Sequence, residues 1–275
     1  MYILILIQSC IISIITFVLT KETLLTFLDE KELYVRNYSG RKVQTSGGFL
    51  LLVSILPTSI PFVFIYTTPI HIFYVLMIIT LTFSGLIDDI LGDDTIKGLK
   101  SHILTFFKGR FTTGILKALT DIILGILLSI LRTHNIIYII LDMLVFILCI
   151  NCINLLDLRP GRAIKGFVFF ISIITLIAKF VNLHYIIPIS TLLLLYIKGE
   201  MDEKYMLGDA GANLLGGILG FYAVLVLQPI HKIILFIFQS SLHLLAEIYS
   251  LSILIEQVPF LRYLDKMGRM RREER

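Results

Sequence analysis

The chain alternates long apolar runs with short polar loops. Requiring close to 20 apolar residues per membrane crossing divides it into nine candidate spans. They cover approximately 1–20, 47–66, 70–87, 112–131, 135–156, 164–180, 184–198, 207–227 and 230–257. The seventh is short and the ninth is long. Pro57 and Pro61 predict a kink in the second, which neighbouring helices tolerate. The pattern predicts an all-α fold, a polytopic membrane helix bundle of about nine transmembrane helices. It forms one transmembrane domain over 1–257, followed by a basic tail over 258–275.

Composition agrees, with 57% apolar and 16% charged residues against about 45–50% and 25% in soluble domains. The first 20 residues carry no basic leading region and no small-residue cleavage site, so a retained first span is expected. Cys10, Cys149 and Cys152 all lie in apolar runs. Cys149 and Cys152 form a CxxC without a second pair of ligands, so packing rather than zinc is expected of them.

Nine spans place the termini on opposite sides, and Lys and Arg then divide between the alternate sets of loops twenty-one against three. The sparse set holds only Arg132, Lys179 and Lys232. Cytoplasmic loops carry the excess of basic residues, so the N-terminus is expected outside and the C-terminus in the cytoplasm. Asp88, Asp89, Asp93, Asp94, Asp157 and Asp209 then share the cytoplasmic surface with Arg41, Lys42, Lys97, Arg159, Arg162 and Lys165. Carboxylates that hold a hard cation, beside cations that receive phosphate oxygens, suggest a Mg²⁺–diphosphate site with hydrocarbon nearby for a lipid co-substrate.

Four segments carry that chemistry. Gly85-Leu-Ile-Asp88-Asp89 closes the third span, where even one carboxylate costs roughly 2.5–3.5 kcal/mol inside hydrocarbon. Asn151-Cys-Ile-Asn154-Leu-Leu-Asp157 ends the fifth, its polar residues three apart on one broad helical face. Gly208-Asp209-Ala-Gly-Ala-Asn213 opens the eighth, with Asp209 placed to cap the helix and offer an oxygen to a metal. Lys42-Val-Gln-Thr45-Ser46-Gly47-Gly48 precedes the second. Each has a plainer reading: helix stop, interhelical amide contact, close helix packing and topology signal, respectively.

These segments, KVQTSGG at 42–48, GLIDD at 85–89, NCINLLD at 151–157 and LGDAGANLLGG at 207–217, resemble one family in their order and spacing. It is the polyprenyl-phosphate N-acetylhexosamine-1-phosphate transferases, which include phospho-N-acetylmuramoyl-pentapeptide transferase. The resemblance covers roughly residues 30–227. It implies transfer of a sugar 1-phosphate from a UDP-sugar to polyprenyl phosphate, such as undecaprenyl phosphate. The products are UMP and a lipid-linked diphosphate sugar for cell-envelope polymers. It further implies Mg²⁺ as cofactor on Asp209 with Asp89, and Asp88 and Asp89 beside the attacking lipid phosphate, one of them a candidate base. Asn154 and Asp157 would position a diphosphate or lipid phosphate, and Lys42 and Thr45 would line the pocket. Lys97, Asn151, Arg159, Arg162 and Asn213 are the further candidate substrate-binding residues.

The chain departs from the family at two places. After Asp157 the family usually reads Gly-Leu-Asp-Gly-Leu, whereas this chain reads Leu158-Arg159-Pro160-Gly161-Arg162. The family's histidine-rich loop near the C-terminus and its tenth span are not evident. Those departures motivate an alternative, a homologue that binds lipid-linked intermediates as scaffold or sensor. A small-anion transporter ranks third, since such sites usually lie at the midplane between repeated halves and no internal repeat is visible. Gln239, His243 and Glu247 form a polar stripe at four-residue steps, and Lys117 and Asp121, also four apart, are expected to pair with each other. The spacing of Gly216 and Gly220 admits close helix contact within the chain or in a homodimer. The basic tail reads as a topology anchor near anionic lipid, with no nucleic-acid role.

Overall fold

The computed structural model describes residues 2–38, 40–66, 68–92, 105 and 109–268. Among the described residues it contains eleven α-helices and one small hairpin. The helices are α1 (Tyr2–Glu30), α2 (Gly48–Tyr66), α3 (Pro69–Leu91), α4 (Thr113–Arg132), α5 (Ile136–Leu156) and α6 (Arg162–Ile177). They continue with α7 (Ile187–Met201), α8 (Gly208–Val226), α9 (Pro229–Ile248), α10 (Leu251–Gln257) and α11 (Pro259–Lys266). Six of them, α1, α3, α4, α5, α8 and α9, are long and apolar enough to cross a membrane. The protein is therefore a largely helical bundle with the character of a membrane protein.

Several boundaries differ from the hydrophobic pattern. The first helix runs on to Glu30, because residues 21–30 continue it past the apolar run, where Gln44 Nε2 bonds the Leu25 carbonyl at 2.6 Å. The ninth run is not one helix. Tyr249 and Ser250 take extended backbone after α9, and Pro259 starts α11 with the fixed φ that suits a first helical turn. Within the basic tail, residues 259–266 form α11. Helices α6 and α7, at 16 and 15 residues, are shorter than the ~20 residues of a straight crossing.

Helix α8 is the centre of the bundle and packs against α5, α3 and α2. Its apolar residues are buried on every side, Leu214, Leu215, Ile218, Leu219 and Phe221 among them. By contrast α9 leaves Ile230, Ile233, Ile234, Ile237 and Phe238 on its outer face, where lipid would cover them. Close approach to α5 depends on glycine. A Cβ on Gly216 would stand 2.5 Å from the Ile150 Cα, and one on Gly220 would stand 3.0 Å from the Phe146 Cα. That spacing is used inside the chain, and both glycines are buried away from any partner copy.

The hairpin was absent from the hydrophobic reading because each strand has only three residues. Strands β1 (Tyr34–Arg36) and β2 (Lys42–Gln44) pair antiparallel, with Val35 opposite Val43. The backbone beyond β2 then pairs with the segment that leads into α8. Met206 N–H bonds the Gln44 carbonyl at 2.7 Å, Gly47 N–H the Met206 carbonyl at 2.9 Å, and Gly48 N–H the Leu207 carbonyl at 2.9 Å. This main-chain ladder fixes Thr45 and Ser46 beside the first turn of α8.

Candidate functional site

The C-terminal ends of α3 and α5 and the N-terminal ends of α4 and α8 meet at one end of the bundle. Gly85 makes the approach of α3 possible, since a Cβ there would collide with the carbonyl of Asp209. One turn later Asp89 turns its carboxylate to the start of α8. It accepts the backbone N–H groups of Asp209 and Ala210 at 3.0 and 3.2 Å, and the Ser46 hydroxyl donates to it at 2.8 Å. An anion at these otherwise unpaired N–H groups also complements the positive end of the helix dipole.

The first N–H groups of α8 are therefore capped from α3, by Asp89, and not by the N-cap residue Leu207. The Asp209 carboxylate is left to point toward α4. There Lys117 Nζ lies 3.0 Å from Asp209 Oδ1 and 3.1 Å from Asp88 Oδ2. The Lys117 side chain is only 15% exposed while that of Asp209 is 38% exposed, so the cluster opens on the Asp209 side.

Asp157 closes the same end as the residue after α5, its N–H bonded to the Ile153 and Asn154 carbonyls. Burial first, and then the like charges of Glu200, Asp209 and Asp89, hold its carboxyl well above the usual range; a bond from the Gly208 N–H works in the opposite direction. Asn154 Nδ2 donates to Asn213 Oδ1 at 2.7 Å, joining a half-buried residue of α5 to a fully buried one of α8. Thr45 is buried, and its hydroxyl is close to the position a Cβ on Gly208 would take.

The other sequence candidates do not join this cluster. Asn151 is exposed on α5, because six helical residues rotate it about 120° from Asp157. Lys42 is exposed on the outer side of β2, with Nζ 4.6 Å from the Tyr34 ring centre. Arg159 pairs with Glu256 and lies over the Tyr38 ring. Arg162 is buried in a two-pronged bond to Asp265, at 2.8 and 3.2 Å, with the Ser252 hydroxyl 3.0 Å away. Lys165 Nζ bonds the carbonyls of Leu264, Asp265 and Met267. These basic residues thus clasp the C-terminal segment. Lys97, with Asp93 and Asp94, lies outside the described residues.

Two members of the cluster were missed by the sequence candidates. Ser46 lay unremarked within KVQTSGG. The four-residue spacing offers Lys117 a local partner in Asp121, whereas it bridges Asp88 and Asp209. Two carboxylates, Asp88 and Asp209, flank one ammonium, with Asp89 and Asp157 beside Asp209, and all these donors are hard oxygens. Among the described residues no group of three or more His, Cys, Asp or Glu is spaced to hold a metal ion. No family model matches the chain, and no curated protein matches it.

Proposed function

We propose that this chain is a membrane phosphotransferase that moves a sugar 1-phosphate from a UDP-sugar to polyprenyl phosphate, releasing UMP. The observation that carries the reading is the convergence of Asp88, Asp89 and Asp209 on one end of the bundle with Lys117 among them. Phosphoryl transfer depends on positioning and on neutralising charge spread over phosphate oxygens, and this cluster has residues suited to both once a cation is bound. The asymmetry of basic residues supports nine crossings, an outside N-terminus and a cytoplasmic site in the cell membrane.

Magnesium suits this donor set. It commonly takes one or two protein carboxylates and completes its shell with water and substrate phosphates. Asp88 and Asp209 already direct an oxygen each to one cationic point, the Lys117 ammonium. Both sides of the Asp89 carboxylate are engaged in capping, so we assign the metal to Asp209 with Asp88 instead of Asp89. When bound, the ion neutralises diphosphate charge. Asp157, held beside Gly208, lines the same space. The test is UMP release from membranes supplied with UDP-sugar, polyprenyl phosphate and Mg²⁺. Asp209→Asn is expected to reduce it to background, and undiminished release would remove the assignment.

A scaffold or sensor of lipid-linked intermediates is the second reading. It is favoured by the engagement of Arg159 and Arg162 with Glu256 and Asp265, which takes two cations from any phosphate. Polyprenyl-phosphate binding without exchange of labelled UMP into UDP-sugar would select it.

A further inference from the structure

Asp121 is a buried carboxylate that the proposed site does not use. It sits one turn beyond Lys117 on α4, is 4% exposed, and its Oδ1 has no hydrogen-bond partner. A carboxylate at such depth is by default functional, because leaving it unpaired in hydrocarbon is costly. Side chains on a helix lean toward its N-terminus, so the Asp121 carboxyl leans toward the turn that carries Lys117. Residues four apart have Cβ atoms about 5–6 Å from each other, within the sweep of a lysine side chain. Lys117 is also the charge that acts on Asp121 electrostatically.

The two carboxylates that Lys117 now bridges are those assigned above to the cation, and an ammonium and a divalent ion cannot occupy one point. We propose that Lys117 holds the place of the divalent cation in the resting site, and that Asp121 receives its ammonium when the cation takes the Asp88 and Asp209 oxygens. The inference rests on the metal-dependent reading of the site. It makes Asp121 a positioning residue, acting through Lys117 without touching substrate. The exchange keeps Lys117 charged and paired in both states. It also keeps the ammonium one helical turn from the site, within reach of a diphosphate that arrives with the ion. Without Asp121, cation binding would leave the displaced ammonium without a carboxylate partner, which opposes the binding.

The test uses Mn²⁺ alone, titrated against the purified full-length chain in nanodiscs and followed by the loss of free-ion electron paramagnetic resonance. No sugar nucleotide or lipid acceptor is needed. Asp121→Asn keeps the side-chain shape and is expected to weaken Mn²⁺ binding on the order of tenfold. Lys117→Met removes the competitor and is expected to tighten binding, and in its background Asp121→Asn should have no further effect. Equal affinity in wild type and Asp121→Asn overturns the inference, as does an undiminished Asp121→Asn effect in the Lys117→Met background. If Lys117→Met does not fold, the Asp121→Asn titration alone decides. Absence of saturable Mn²⁺ binding to the wild type would overturn the metal-dependent reading as well, whereas binding without coupling to Asp121 overturns only this inference.

Discussion

Asp89 caps the helix whose first turn holds Asp209, taking the N–H of Asp209 at 3.0 Å on one carboxylate oxygen and that of Ala210 on the other. Adjacent aspartates on α3 thus have different work. Asp89 fixes the architecture of the cluster, while Asp88 faces its cation.

That division predicts opposite profiles for two isosteric changes. Asp89→Asn loses a charge-assisted cap and should lower stability by about 1–2 kcal/mol. Asp209→Asn should keep stability within about 1 kcal/mol, since its ion pair is partly exposed, and should lose UMP release. Thermal unfolding in detergent, alongside the release assay, measures both. A stable Asp89→Asn protein would contradict the capping role.

The Asp157 carboxyl is raised by burial and by like charges, so the folded state binds this proton more tightly than the unfolded chain. Stability from this group is then greatest at low pH and falls as pH rises from about 3.9, the unfolded value, through the raised folded one. Asp157→Asn removes that dependence. Its unfolding temperature should gain on the wild type as pH increases, and curves that stay parallel as pH rises above about 4 would refute the assignment.

The Arg162–Asp265 bond fastens the C-terminal segment to the start of α6. Arg162→Met would strand a buried carboxylate and should cost about 3–5 kcal/mol, with much of the loss recovered in Arg162→Met/Asp265→Leu. Hydrogen exchange across residues 251–266 reads the effect directly. Unchanged protection in the single variant would show that the segment is held elsewhere.

Gly216→Val should force α8 away from α5, since the new Cβ would meet the Ile150 backbone rather than a movable side chain. Overpacking commonly costs about 1–3 kcal/mol, and a backbone obstacle places this substitution at the upper end. A variant with wild-type unfolding temperature would show that stability does not depend on this close helix contact.

Much of the bundle was legible because lipid-facing and buried helices both need apolar residues, which fixes where most helices lie. The acidic ends of the third and fifth runs and the start of the eighth were legible for the converse reason: charge at that depth demands a cause. Partners were not legible. Arg162 meets Asp265 across a separation of about a hundred residues, and no local pattern encodes that contact. The partners of Lys117 stay hidden because its four-residue spacing to Asp121 has a ready local explanation, while Asp88 and Asp209 reach it only through the packing of α3 and α8 on α4. Asn151, Asn154 and Asp157 share a spacing of three but not one face, since the stripe drifts round the helix at each step.

Helices in a bilayer tilt to match its thickness, and adjustments of that kind ordinarily slide neighbouring segments past each other. Here the strand-like run from Gln44 to Gly48 is stitched to residues 206–207 by main-chain bonds that do not depend on helix tilt. Shear between α2 and α8 is therefore expected to accumulate at their far ends, leaving the Ser46–Asp89 contact in register when the surrounding lipid thins or thickens.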